Sequence, residues 1–266
     1  MSEALSILSP PRVYPVTLAE AKLHLRVTHT AEDLSIGAMI AAACEQVESA
    51  CGRSLSAQRL KLVLDDWPFD GLCNRPIRLQ RPPLTSVESV RYMDGDGDWQ
   101  TLDSSLYTVL ADDDARVAPV ADEVWPDTYG QVGQIEVTYQ AGYPAAVIAS
   151  AARVDGVITF TTDAAHGLSA GAIVTVSGCA DSGFDGRFVV ASVDAEALTF
   201  TVVQSGEDDE TTGGQVTAVP ERLRQAVLLA VQMLYERGDG GMPGVSEQVK
   251  RAFDALVGGM KDWRYP

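Results

Sequence analysis

Residue types that could do chemistry are present in this chain, but their spacing assembles no reaction centre. In DGDGDW the aspartates Asp94, Asp96 and Asp98 alternate as at the start of an EF-hand calcium loop. The pattern then fails. The sixth position is Trp99, where a sharp turn needs glycine, and the twelfth is Ser105, where a bidentate glutamate is needed. A charged β-turn is the simpler expectation. His24 and His29 stand five residues apart, off a common helical face; His166 is remote and no HExxH accompanies them. Asp65 and Asp66 are adjacent and would point to opposite faces of a strand, which is wrong for an acid–base pair. No GxxxxGK[ST], GxSxG or post-strand GxGxxG occurs, so phosphate-cradle and nucleophile-elbow readings have no anchor. Cys44, Cys51, Cys73 and Cys179 form no CxxC pair, which favours reduced, buried thiols over a zinc site or a disulfide framework. The expectation is a protein that is not an enzyme, with no catalytic residue, no cofactor and no metal.

The totals narrow the partners. A formal charge of −17, from 37 acidic and 20 basic residues, argues against a general nucleic-acid binder, because phosphate contacts need accumulated Lys and Arg. It leaves open a protein that surrounds DNA without gripping it, and solubility alone is the plainer explanation. With 266 residues, 46% of them hydrophobic, the chain can bury one large or two ordinary cores. No run approaches the roughly 18 apolar residues of a membrane span, and MSEALSILSPPRVYP lacks the basic start and apolar run of a signal peptide. A soluble protein made inside a cell, with no membrane partner, is expected.

The clearest element is VPERLRQAVLLAVQMLYER, residues 219–237. Pro220 suits a first helical position and Glu221 complements the helix dipole. Leu223, Ala226, Val227, Ala230, Val231, Leu234 and Tyr235 recur at three- and four-residue spacing, while Arg222, Arg224, Gln225, Gln232 and Glu236 take the other side. Leu234 lies nearer the centre of the stripe than Leu228. Gly238 and the glycines after it end the helix. Its expected partner is the helix over 33–51, whose stripe includes Ile36, Ile40, Ala43, Cys44 and Val47. A short helix over 16–26 precedes that one, with Thr17 and Glu20 at capping-box spacing. A last helix is expected over 246–263.

Between these helices the pattern turns to β. Short runs at 59–64, 77–79, 86–93, 107–110 and 134–139 read as strands, with a hairpin at DGDGDW. A second β-rich stretch holds runs at 157–161, 172–176, 186–193, 197–203 and 215–218, with the acidic GEDDETTGG as a solvated loop. The expected fold is α+β: a helical bundle with a small β region, interrupted by an inserted all-β barrel or sandwich. The boundaries are 1–151 plus 218–266 for a discontinuous helical domain and 152–217 for the insert. Such insertion is tolerated where the ends lie close together.

The order of VTLAEAKLHLRV, AEDLSIGAMIAAACEQVESACGRSL, IRLQRPPLTSVESVRYMDGDG, VTYQAGYP and VPERLRQAVLLAVQMLYER resembles the head-to-tail connector, or adaptor, proteins of long-tailed double-stranded DNA bacteriophages. The insert departs from that family's usual pattern. It is similar to small β modules of phage virion proteins and to the first catalytic cysteine half-domain of ubiquitin-activating enzymes, without their chemistry. The resemblance implies a structural virion protein at the head–tail junction, assembled in the host cytoplasm. Twelve copies would form a ring under the portal protein, extend the DNA channel and meet a stopper or tail-completion protein, with double-stranded DNA passing unbound. It offers the C-terminal end, with Lys250, Arg251, Lys261, Trp263, Arg264 and Tyr265, for portal docking; basic side chains and aromatic anchors suit an interface. The helical core would be Ile36, Ile40, Val47, Leu223, Val227, Val231 and Leu234. The rival expectation is an accessory ligand- or carbohydrate-binding β module mounted on a helical scaffold.

Overall fold

A computed structural model describes residues 3–69, 75–111, 114–121, 123–238 and 247–258. In chain order the elements are β1 (Glu3–Ser9), α1 (Leu18–Leu25), α2 (Asp33–Cys51), β2 (Gln58–Leu64), β3 (Ile77–Arg78), β4 (Leu84–Met93), β5 (Trp99–Thr101), β6 (Tyr107–Leu110), β7 (Arg116–Pro119) and β8 (Ile135–Ala141). They continue as β9 (Ala145–Val154), β10 (Val157–Thr162), β11 (Ile173–Ser177), β12 (Gly186–Asp194), β13 (Thr199–Val203), β14 (Asp209–Thr212), β15 (Gln215–Thr217), α3 (Glu221–Gly238) and α4 (Glu247–Gly258). The fold is α+β, with an all-β barrel between α2 and α3 in sequence. Two compact units emerge: residues up to Pro11 with Gly52–Gly142, and Arg12–Cys51 with the chain from Tyr143 onward. The barrel thus groups with the helices rather than standing apart from them, and the first β region forms a unit of its own.

In the first unit an antiparallel sheet runs β1-β2-β8-β4-β5, and a smaller one β3-β7-β6. Both contribute to one core. Leu60, Leu62, Val90, Val137 and Tyr139 come from the larger sheet, Ile77 and Val117 from the smaller. Trp67 and Trp125 stack in this core at 4.5 Å between ring centroids. Each buried indole finds an acceptor for its N–H: Trp67 donates to Pro126 O at 2.8 Å and Trp125 to Arg75 O at 3.2 Å. The AGYP stretch closes the unit at Gly142, whose φ is +122°. A Cβ there would come 2.1 Å from the carbonyl oxygen of Ser56, so glycine is required by close backbone approach.

In the second unit β9, β10, β13, β12, β11 and β15 pair in turn and return to β9, closing a six-stranded barrel. β14 and β15 are two stretches of one path beside β9, interrupted at Gly213 and Gly214, both with positive φ. The expected acidic loop GEDDETTGG is therefore partly strand, with Thr211 buried. β9 carries a bulge: Thr161 opposes Ser150, but Thr162 opposes Ile148. The extra residue switches which side faces inward, from Ala146 and Ile148 to Ala151 and Arg153. Phe160, Phe184, Phe200, Val190, Val202 and Val216 fill the interior, and Phe160 stacks on Phe200 at 4.9 Å. The ends of this module meet. Ala145 pairs with Thr217, and Ala218 N–H donates to Pro144 O at 2.9 Å.

In the same unit α2 packs along α3, and α1 and α4 pack on both. Thr17 caps α1 as expected. Its hydroxyl accepts from Glu20 N–H at 3.1 Å, and the Glu20 carboxylate accepts from Thr17 N–H at 2.8 Å. α2 ends at Cys51, followed by Gly52 with φ +71°. α3 begins one residue later than expected, with Pro220 supplying the first carbonyl acceptor to Leu223 and Arg224.

Candidate interface and the helix–barrel junction

α2 and α3 pack together. Ile36, Ile40 and Val47 of α2 are buried, as are Leu223, Val227 and Val231 of α3. Leu234 is only half-buried, whereas Leu228 is 8% exposed, which reverses their order along the stripe. The reason is that α3 is covered by more than α2. With α1 and α4 also against it, the buried sector widens past a single stripe. On α4, Phe253 and Val257 are buried while Lys250 and Arg251 are exposed. Lys261, Trp263, Arg264 and Tyr265 lie outside the described residues.

A side chain that the helical pattern placed on the wet face turns out to be buried. Arg224 is 4% exposed, and its guanidinium donates to the Glu20 carboxylate of α1 and lies 3.7 Å from that of Glu221. The other oxygen of Glu20 accepts from the Thr17 hydroxyl at 2.9 Å and from the hydroxyl of Ser177, at the end of β11, at 3.4 Å. One carboxylate thus joins the α1 cap, α3 and the barrel. Gln215 of β15 extends the junction by donating to Tyr14 O at 2.8 Å. Among the described residues Arg224 Nε and Nη1 find no hydrogen-bond partner, so the two carboxylates are what compensate the buried charge. Nothing in the sequence pairs Arg224 with Glu20, which stand 204 positions apart. Flanking contacts secure the helices: Lys22 to Asp33 at 2.6 Å, the Tyr235 hydroxyl to Glu32 at 2.9 Å, and His24 to Gln232 at 3.2 Å.

The groups first weighed for chemistry take structural roles. Asp94 Oδ1 accepts from the N–H groups of Asp96 and Asp98 at 3.1 and 3.0 Å, and Gln100 donates to Oδ2 at 2.7 Å. The Gln100 bond, with the backbone donors, holds this carboxyl below its usual range. The turn joins β4 to β5, with Met93 opposite Trp99. Asp65 accepts from Gly133 N–H and Asp66 from Trp67 N–H. His166 is buried, with Nδ1 accepting from Leu168 N–H and its ring edge against Phe200. Burial pushes the Cys44 thiol far up, and burial with the Asp185 carboxylate pushes Cys179 up to about 12, so neither is a thiolate nucleophile at neutral pH.

Arg153 occupies one end of the barrel. Its guanidinium lies 4.5 Å over the Phe184 ring and donates to Gly183 O at 2.8 Å and Gln204 Oε1 at 3.1 Å. Gly206 leaves room for it, since a Cβ there would come 2.7 Å from Nη1. On the barrel wall a groove of about 690 Å³ is lined by Ser150, Thr159, Thr161, Asp181, Glu210 and Thr212, among others. Its Asp181 carboxylate is already engaged by Gly183 N–H at 2.8 Å.

Three solved structures share this fold. A chain in the neck of an empty gene transfer agent (GTA) particle, computed with C6 symmetry, matches at TM-score 0.56 and 16% identity, covering 97% of this chain and 95% of that one. A chain of the native GTA virion matches at 0.54 and 16%, and one of the native GTA neck, computed with C12 symmetry, at 0.53 and 15%. Each of these two covers 97% of this chain and 94% of the other. At that coverage the likeness takes in the barrel as well as the helices and sheets. No curated protein matches in sequence. Over residues 15–80, which take in α1, α2, β2 and β3, the chain matches the family described as phage gp6-like head-tail connector protein.

Proposed function

We infer that this chain is a structural virion protein of the head–tail junction, whose copies form a ring beneath the portal, extend the DNA channel and join head to tail. The observation that carries this reading is a coincidence. The connector-family segment at 15–80 lies in a chain whose whole fold resembles chains of GTA necks. The ring has twelve copies, in keeping with the C12 symmetry of one such neck. Its partners are further copies of itself, the portal protein, and a stopper or tail-completion protein, with double-stranded DNA passing through. It assembles in the host cytoplasm and has no catalytic step. The net charge of −17 supports passage without adhesion, since a lumen bearing carboxylates repels phosphate.

Portal docking falls to the end that starts at Lys250 and Arg251 on α4 and continues through Lys261, Trp263, Arg264 and Tyr265. The barrel groove favours the second reading, a ligand-binding module, but its lining residues include no aromatic ring on which a sugar could stack. Electron microscopy of the purified chain with portal protein tests the main reading: portal-capped rings are expected, and a portal that never acquires subunits overturns it. Truncation after Gly258 combined with Lys250→Ala and Arg251→Ala should abolish attachment while leaving the helical dichroism intact; unchanged attachment removes the docking proposal. Replacing 145–217 by a short linker from Pro144 to Ala218 separates the two readings. Loss of head–tail joining ties the barrel to the joint, whereas joining with loss of a host interaction makes it accessory.

A further inference from the structure

β1 is held to its sheet almost entirely by its backbone. Six of its seven residues are exposed and only Leu5 is half-buried, whereas β2 beside it alternates buried with less buried positions. The pairing runs from Glu3 opposite Leu64 to Ser9 opposite Arg59. Two side-chain bonds supplement it: Gln80 donates to Glu3 at 3.0 Å, and the Ser6 hydroxyl donates to Lys61 O at 3.4 Å. The strand has no lysine or proline, the common guards of an edge, and it exposes Ile7 at 49% and Leu8 at 43%. After Ser9 the chain leaves through Pro10 and Pro11, which have no N–H and fix φ, a stiff extended tether toward α1. What β1 gains from its own β2 is a ladder that β2 of any other copy offers identically.

We propose that β1 is an exchangeable arm: in the assembled ring, β1 of one copy pairs with the β2 edge of the next copy, in the register it has within a single chain. The inference rests on the ring reading. Exchange remakes every backbone bond it breaks and frees little buried side-chain surface, which is why swapping an identical element is a low-cost route to joining copies. Passed from copy to copy in one direction, the contact is head-to-tail and closes only as a ring. The occupant of the β2 edge is therefore a second copy's β1, and the added strand uses the sheet edge as extended peptides do.

Ala4 and Val63 are direct register partners, Ala4 exposed and Val63 half-buried, and facing strand residues lie within disulfide range. The test uses the full chain carrying Ala4→Cys and Val63→Cys, assembled with portal protein, oxidised, and run on a non-reducing gel beside each single variant. Exchange gives a ladder of covalently linked copies from rings and intrachain closure from unassembled protein. Rings in which the disulfide closes only within one chain overturn the exchange and leave the ring reading standing. A disulfide-linked portal adduct in place of the ladder also overturns it. If the wild-type chain forms no rings, both readings fall together. As a second variant, deletion of residues 1–11 should keep the wild-type dichroism and lose ring formation; rings of normal number and stability without the arm overturn the proposal.

Discussion

The two β regions treat their edges in opposite ways. The barrel joins β10 to β9 and leaves its central strands paired on both sides, with Phe160 and Phe200 stacked inside and Arg153 across one end. The sheet of the other unit stays open, and its outermost strand, β1, has hardly a buried side chain. Closure gives a module whose stability is internal. Openness leaves a backbone ladder available to a partner, at the cost of an edge that pairs with whatever strand it meets. The difference teaches that β content by itself says little about assembly; what matters is whether the last strand has somewhere to go.

The largest effect that would test this contrast is expected inside the barrel. Phe160→Ala removes a fully buried stacked ring and should cost about 3–5 kcal/mol by chemical denaturation followed by circular dichroism. Fluorescence of Trp67 and Trp125, which reports the sheet core, should keep its midpoint; a change of 1 kcal/mol or less in the barrel would mean that its core is not what holds it. Gly142→Ala places a Cβ against the Ser56 carbonyl in a left-handed conformation, and a loss of about 2–4 kcal/mol is expected in the sheet unit, read by the same tryptophans. Arg224→Ala strips the Glu20 carboxylate of its main partner. Breaking a buried pair costs about 3–5 kcal/mol, reduced here to about 2–3 because Glu20 is partly exposed. The thermal transition of helices and barrel should then broaden or split, and an unchanged single transition would remove the junction as their link.

The smallest effect is a pH dependence at the surface of the open sheet. Glu88 on β4 is held below the usual carboxylate range by the Arg59 guanidinium, at 2.7 Å from Nε, with help from Gln140. A depressed folded-state value means that the contribution is present above the unfolded value of about 4.3 and is lost as pH falls through the lower folded value. Being exposed, the pair should contribute under about 1 kcal/mol, seen as a smaller acid-side drop in Tm for Glu88→Gln than for wild type. An equal drop in both would assign no role to the pair.

Sequence reading and structure agree where the information is local. The Thr17–Glu20 capping box, the end of α2 at Gly52, the β4–β5 hairpin at DGDGDW and the strands β2, β4, β8, β10, β12 and β13 all follow from spacing within a few residues. β9 was not legible, for a physical reason. AAVIASAARV is alanine-rich, a composition that favours a helix, and its bulge breaks the period of two. β14 was hidden by its own aspartate and glutamate, which read as a loop until β9 supplies the ladder. β1 was hidden because its exposed residues show no alternation at all.

By itself, then, the sequence determined which segments are helices and that a β module interrupts two helices that pack together. These properties depend on neighbours a turn or a strand away, where side-chain periodicity and capping act. Only the tertiary structure decided that the barrel joins the helical unit, that Arg224 leaves the wet face to meet Glu20, which also accepts from Ser177, and that Leu228 is deeper than Leu234. Those outcomes depend on which surfaces are brought together across some two hundred residues. Desolvating a charge, closing a barrel or widening a buried sector is settled by the partner, not by the segment that carries the residue.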